Sequence, residues 1–310
     1  MGKINRVLFL GSKQIGLNSL STIFNLDKSS LIGVITLDDR NDSRNVFEEI
    51  QQFCDDRNIN IYVVKNKQES EELIIKLKPE LCIVVGWYWY IPKKIIDTVP
   101  EGFLGIHGSL LPKYRGGSPL VWAIINGEKN AGVTLFSFSE GLDNGPIWDQ
   151  RIVELQPDDY VYEILKKIED AATDIFQKKY LLILNGLIKP EPQNDAEATY
   201  CAQRIPEDGM IDWKKPAKDI YNFIRAQSHP YPGSFTIFNG EPLRILQADF
   251  TDMSYFGTPG QVGKITNEGV YIICGDNKPI IVKDVQYRST TTIPAKSIIT
   301  SIKIRFENRI

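Results

Sequence analysis

His107 is one of only two histidines in the 310 residues, and it stands inside LGIHGSLLPKYRGGSP (104–119). An imidazole is the side chain best suited to moving a proton near neutral pH. Asp143 follows 36 residues later, in EGLDNG. A carboxylate that orients an imidazole is the usual partner of a general base. Around the histidine, Pro112 with Gly108, Gly116 and Gly117 predicts a rigid loop that lets backbone approach closely. Arg115 can hold a carboxylate, loop carbonyls or a ligand anion, and its expected role is structural. Ser109, Lys113, Tyr114, Arg115 and Gly117 are the loop's candidates for contact with a substrate.

The elements around these residues follow a regular rhythm. Apolar runs at 6–12, 31–39, 59–66, 81–87 and 102–108 alternate with helical patterns at 15–26, 46–58, 69–78 and 91–99. Short apolar strands between amphipathic helices predict a mostly parallel, Rossmann-like sheet covered on both faces. Ligands of such sheets sit beyond the carboxyl ends of the strands. His107 falls at the end of the fifth strand. Residues 119–128 read as a short helix, 131–139 and 146–155 as two more strands, and 158–186 as a long helix. With Asp143 placed after the sixth strand, both groups are expected at the same edge of a parallel sheet. The turn GSKQIG (11–16) is neither GxGxxG nor a phosphate loop ending in GK[ST], so it reads as a plain strand-to-helix turn.

A first domain is expected over 1–190, a Pro-rich polar linker over 191–205, and a second domain over 206–310. The second has one helix, 217–228, followed by short strands separated by Gly and Asn turns, the pattern of a small OB-like β-barrel. Hydrophobic residues make up 42% of the chain, enough for full cores. The net charge of −3 disfavours a partner held by neutralising many phosphates. Cys54, Cys82, Cys201 and Cys274 lie far apart with no CxxC pair, so no metal site and no disulfide framework is expected. MGKINRVLFLGS is too quickly polar for a secretory signal, and no apolar run reaches the roughly 18 residues of a membrane span. A cytoplasmic location is the expectation, with a homodimer compatible with it.

The stretch HGSLLPKYRG, with PLVWAIINGE, GVTLFSFSEGLDNGPI and a long helix after it, resembles the folate-dependent formyltransferase family. The family's H-x-S-L-L-P-x-x-R-G is matched from His107 to Gly116, and its D-x-G-x-I from Asp143 to Ile147. Residues 204–240 resemble the start of the family's C-terminal barrel domain. The resemblance implies an N-formyltransferase that moves a formyl group from 10-formyltetrahydrofolate to a primary amine without a metal. It implies His107 as the base that takes the amine proton, and Asp143 as the group that holds and tunes it. VVGWYWYIPKKI (84–95) matches the pterin-side loop by position. Gly86, Trp87, Tyr88, Trp89, Tyr90 and Asp143 are therefore the expected folate contacts, the four rings offering flat faces to a pterin. One departure stands out. Most members carry Asn two residues before the histidine, with its amide assigned to the formyl oxygen, and here that position is Gly105. The oxyanion donor must then come from protonated His107, a backbone N–H, a water or Asn144, or else the chain is an inactive folate-binding relative.

Two amines fit the resemblance: methionyl-tRNA and a nucleotide-linked amino sugar. The tRNA enzymes carry a glycine- and lysine-rich insertion after the second strand. Here that segment is TLDDRNDSRNVFEE (36–49), which is acidic. Residues 206–310 hold 13 Lys and Arg against 11 Asp and Glu, a weak nucleic-acid surface. Members acting on UDP-linked aminoarabinose carry Arg directly after the RG, where this chain has Gly117. The expected acceptor is another UDP- or dTDP-linked amino sugar of the 4-amino-4,6-dideoxy type, made for surface polysaccharide.

Overall fold

The computed structural model describes residues 3–307. The chain divides into two compact units. The first takes in the chain up to Pro119, then Asn130–Glu154 and Leu165–Ala202; the second takes in Leu120–Lys129, Leu155–Ile164 and the chain from Gln203 onward.

In the first unit, strands β1 (Val7–Gly11), β2 (Leu31–Leu37), β3 (Ile61–Val64), β4 (Leu81–Val85) and β5 (Phe103–His107) alternate with helices α1 (Lys13–Asp27), α2 (Phe47–Asp55), α3 (Lys67–Leu77) and α4 (Lys93–Ile96). The five strands pair in parallel in the order β3-β2-β1-β4-β5. Every residue of β1 and β4 is buried, as strands covered on both faces must be. The mostly parallel sheet is thus as expected. Helix α4 is shorter than the expected 91–99, because Pro92 has no N–H to extend it backwards and Pro100 closes it off in front.

The next segments are β6 (Arg115–Gly116), α5 (Pro119–Ile125), β7 (Asn130–Ser137) and β8 (Ile147–Glu154). β7 runs antiparallel to β5, with Thr134 opposite His107 and Ser137 opposite Leu104, and β8 runs antiparallel to β7. This corrects the expectation that Asp143 leaves a parallel strand at the same edge as His107. α5 has seven residues, about 10 Å of rise, too little to carry the chain back to the start of the sheet. β7 therefore begins at the edge where β5 ends and runs the other way. The loop after it starts beside Phe103, where the Phe138 N–H donates to the Phe103 carbonyl at 2.8 Å. It must fold back by about four strand residues, roughly 13 Å, for Asp143 to reach His107.

Helix α6 (Val161–Leu184) buries Val161, Ile164, Ile168, Ala172, Ile175, Phe176 and Tyr180, one stripe at helical spacing. Residues 191–202, expected as part of a linker, are bonded into the first unit. Their strand β9 (Tyr200–Cys201) pairs in parallel with β6.

The second unit holds helix α7 (Ala217–Gln227) and an antiparallel sheet of β10 (Ser234–Phe238), β11 (Glu241–Phe250), β12 (Val262–Ile265), β13 (Val270–Ile273), β14 (Pro279–Tyr287) and β15 (Ile293–Pro294). Its order is β10-β11-β14-β13-β12, with β15 on β14. Asn239 and Gly240, at φ 50° and 80°, make the two-residue turn between β10 and β11. Irregular register along β11, around Gln247, lets the long strand bend. The core under the sheet contains Trp213, Ile220, Ile245, Val270, Ile280 and Val282. Among the described residues, no helix is long and apolar enough to cross a membrane.

Burial pushes the Glu169 carboxyl on α6 from its ordinary 4.5 up to about 7, with Asp170 adding to the rise. The folded chain then holds a proton that the unfolded chain releases. This group's contribution to stability is complete below about pH 4.5 and declines until about pH 7. Glu169→Gln should flatten that part of the pH–stability curve and raise the melting temperature at about pH 8, as read by thermal melts of the two proteins.

Candidate active site

His107 closes β5 with its ring buried. Its Nε2 lies 2.8 Å from the Tyr114 carbonyl oxygen. A carbonyl only accepts, so Nε2 carries the proton, and in the neutral ring Nδ1 carries the lone pair. Nδ1 faces the Asp143 Oδ2 atom at 3.7 Å. That separation is longer than a hydrogen bond, so Asp143 does not hold the ring; the Tyr114 carbonyl does. Asp143 is instead a nearby negative charge for an imidazolium. Its Oδ2 accepts the Gly116 N–H at 2.8 Å.

The loop carrying Tyr114 is fastened from two sides. Thr134, opposite His107 on β7, donates its hydroxyl to the Ser109 carbonyl at 2.7 Å and accepts the Leu111 N–H at 3.2 Å. The Gln150 amide on β8 donates to the Leu111 carbonyl at 2.8 Å. From the other side, the Tyr114 N–H donates to Thr199 Oγ1 at 2.9 Å, the Arg115 N–H to the Thr199 carbonyl at 2.9 Å, and the Gly117 N–H to the Cys201 carbonyl at 3.0 Å. At Gly116, with φ 105°, a Cβ would overlap the Cys201 carbonyl, so this pairing requires glycine. Tyr114, Ser118 and Asp143 all take left-handed backbone conformations, φ 58°, 53° and 46°. For Tyr114 and Ser118 such conformations are uncommon and need support from their surroundings, whereas Asp adopts them more readily.

The other loop residues divide by what their side chains do. Ser109 is buried and donates to the Lys113 carbonyl at 2.7 Å. Arg115 is only 2% exposed, and its guanidinium turns away from His107 to Gln193, Asp195 and Tyr200. Neither side chain is free to take a substrate: Arg115 has the structural role expected of it, and Ser109 spends its hydroxyl within the loop. Lys113 is exposed.

Phe103, Gly105 and His107 share one face of β5, with Phe138, Phe136 and Thr134 opposite them. A Cβ at Gly105 would overlap the Phe138 ring. That ring stacks on Phe103, their centroids 6.2 Å apart. The place two residues before the histidine is thus occupied by an aromatic edge, and no amide donor fits there. Asn144 is folded on its own loop, its Oδ1 taking the Ser139 hydroxyl.

The aromatic run after β4 is also divided. Trp87 and Trp89 meet edge to face at 5.3 Å and pack on the core cluster that contains Phe103. Tyr90 is exposed. Tyr88 is exposed as a ring, but its hydroxyl donates to Asp39 and Asp42 and meets the Lys13 ammonium. Burial and those two carboxylates push its ionisation well above the ordinary value. Lys13 bridges Asp39 and Asp42 at 2.7 and 2.8 Å. Burial works to raise the Asp42 carboxyl, but the bonds from Arg44 and Lys13 outweigh it and leave it well below the usual carboxylate range. Gly86, at φ 67°, has no room for a Cβ against the Ser12 carbonyl. The Ser12 hydroxyl donates to the Gly86 carbonyl at 2.5 Å, tying the ends of β1 and β4 together.

Sequence reasoning missed Thr134, Gln150, Gln193 and Cys201 as neighbours of the site, because each is a common residue far away in sequence with no motif around it. Burial pushes the Cys201 thiol up to about 11, with the Asp143 charge adding to it, so it is no thiolate nucleophile at neutral pH. Among the described residues, no three of His, Cys, Asp or Glu gather to hold a metal ion.

The sequence pattern of the formyl transferase family matches residues 6–179, and that of its C-terminal domain matches 204–303. A methionyl-tRNA formyltransferase of Caldanaerobacter subterraneus subsp. tengcongensis is 33% identical over 281 residues, 88% of this chain and 89% of that protein. The fold is similar to that of a sugar 3N-formyl transferase solved with dTDP and 5-N-formyl-THF, at TM-score 0.67 and 22% identity over 91% of this chain and 98% of that one. It is similar too to an N-formyltransferase from Helicobacter canadensis solved with folinic acid and dTDP-3-aminofucose, at TM-score 0.68 and 22% identity over 91% and 99%. The chain belongs to the formyl transferase family and is an N-formyltransferase.

Gly105→Ala should cost about 1–3 kcal/mol in chemical denaturation, because its methyl group must displace the Phe138 ring. Adding Phe138→Ala should remove most of that penalty; a penalty that persists beside the smaller side chain would show that Phe138 is not its source.

Proposed function

We propose that this chain transfers the formyl group of 10-formyltetrahydrofolate to the primary amine of a UDP- or dTDP-linked amino sugar, of the 4-amino-4,6-dideoxy type. The observation that carries the transfer chemistry is the His107 ring, pinned by the Tyr114 carbonyl at 2.8 Å with Nδ1 turned to Asp143 at 3.7 Å.

An amine attacks only through a free lone pair, so it must shed a proton as its nitrogen forms a bond to the formyl carbon. Nδ1 of His107 accepts that proton. The ring becomes a cation, and the Asp143 carboxylate opposes its charge without moving. The protonated Nδ1 is then a donor for negative charge developing on the formyl oxygen, taking the part that no side chain at position 105 can play. As the bond between the formyl carbon and the folate N10 breaks, the Nδ1 proton passes to N10, which frees tetrahydrofolate and returns the ring to its neutral form. The folate supplies the activated formyl carbon. The residues after β4 suit its pterin: Trp87 and Trp89 supply an apolar wall, Gly86 turns the backbone at the end of β4, and the Tyr88 and Tyr90 rings stand exposed beside it.

Charge supports this acceptor over a polynucleotide. The segment after β2 carries Asp38, Asp39 and Asp42, and the nearby Lys13 is already shared between two of them. A polynucleotide needs many phosphates neutralised, whereas a nucleotide sugar has only two. Two neighbours in fold were solved with dTDP or a dTDP-linked amino sugar. A second reading, methionyl-tRNA as acceptor, is favoured by the name of the curated relative at 33% identity.

His107→Asn should abolish formyl transfer while leaving the melting temperature close to that of the wild type; substantial residual turnover would remove the ring from the mechanism. Asp143→Asn should slow turnover by about 10²-fold. The acceptor is tested with a panel of dTDP- and UDP-linked 3-amino and 4-amino dideoxy sugars beside methionyl-tRNA, each with 10-formyltetrahydrofolate. The highest kcat/KM should fall on a 4-amino sugar, and a preference for methionyl-tRNA would overturn the assignment.

A further inference from the structure

Gln193 belongs to no motif, and it uses its whole side-chain amide within the first unit. Its Nε2 donates to the Asp143 carbonyl at 2.8 Å and to the Gly145 carbonyl at 2.7 Å. Its Oε1 accepts from Arg115 Nη2 at 2.7 Å and Nε at 3.1 Å. One end of the amide thus holds the loop that carries Asp143. The other holds Arg115, the residue next to Tyr114, whose carbonyl pins His107.

We infer that Gln193 is a positioning residue for formyl transfer: its amide joins the His107 loop to the Asp143 loop and sets where the Asp143 charge stands relative to Nδ1. This deepens the proposed function and rests on the roles assigned there to His107 and Asp143.

Three features require such a joint. The loop from Phe138 to Pro146 leaves β7 beside Phe103 and must double back to His107, so no strand pairing carries Asp143 to its place. Asp143 also sits at φ 46°, a left-handed turn that sets the direction in which the loop presents its carboxylate. Its carboxylate accepts the Gly116 N–H, and Gly116 is itself held by β9. The two hydrogens of one planar amide fix two carbonyls, at residues 143 and 145, and so set the loop's orientation as well as its distance. Arg115 is also paired with Asp195 at 2.7 Å, which adds a further tie to the joint.

The amide also sorts its possible replacements. Glu has the same shape and keeps an acceptor for Arg115, yet it turns both donations into repulsion against carbonyl oxygens. Leu is close in size and makes none of the four bonds.

The test compares Gln193→Leu and Gln193→Glu, alone and with Asp143→Asn, using 10-formyltetrahydrofolate and whichever acceptor of the panel above the wild type turns over fastest. Both single variants should lose about 10²-fold in kcat, the scale of a displacement near 1 Å, with KM for the folate moving by less than about threefold. Gln193→Glu should be as slow as Gln193→Leu even though its pairing with Arg115 preserves the melting temperature. In an Asp143→Asn background either change should cost less than about twofold more, because the group being positioned is already gone. Activity that tracks melting temperature instead, with a Gln193→Glu protein both stable and fast, would overturn the inference. So would penalties that multiply with that of Asp143→Asn. An inactive His107→Asn protein beside unaffected Gln193 variants would reject this inference alone; an active His107→Asn protein would reject the proposed function beneath it.

Discussion

The bond from His107 Nε2–H to the Tyr114 carbonyl governs the site. It decides which ring nitrogen has the lone pair, and so which way a proton can travel. A carbonyl is a fixed partner: it only accepts, and it moves only if the backbone moves. The rest of the first unit keeps that backbone still. Thr134 and Gln150 hold the loop on the sheet side, while Thr199 and Cys201 hold it through β9 on the other. A histidine oriented in this way leaves its carboxylate neighbour a single task, opposing the charge that the reaction creates.

The exchange at position 105 fits the same economy. Phe138 fills the space that a side chain there would need and packs with Phe103 and Phe136. One face of β5 has become an aromatic wall that ends at the imidazole. What is lost is a neutral amide donor. What remains is a ring that becomes a donor once it has accepted a proton. In the proposed reaction the demands on the His107–Asp143 geometry are correspondingly greater, because one nitrogen serves first as acceptor and then as donor.

The sheet was legible in the sequence, and so were the two residues proposed to react. Buried parallel strands are nearly pure apolar runs, and the loop from His107 to Gly117 has a composition few other tasks require. The direction of β7 was not legible, because an antiparallel strand buried on both faces has the same residues as a parallel one; only the shortness of α5 hinted at it. The aromatic run was half legible. Alternation along 87–90 leaves the tryptophans inward and the tyrosines outward, but nothing local shows that the Tyr88 hydroxyl is shared with Asp39, Asp42 and Lys13. Arg115 sits in the motif but works on residues about 80 positions later, and Gln193 works on the motif from outside it. Polar residues that act over such separations carry no period and no spacing, so pattern reading cannot find them.

The most direct test is the nitrogen NMR spectrum of the ring near neutral pH. With just two histidines in the chain, the His107 signals are assigned by their loss in the Asn variant. The neutral ring should show a proton on Nε2 and a bare Nδ1. A neutral His107 protonated on Nδ1 would contradict the account, since the nitrogen that must accept the amine's proton would already carry one.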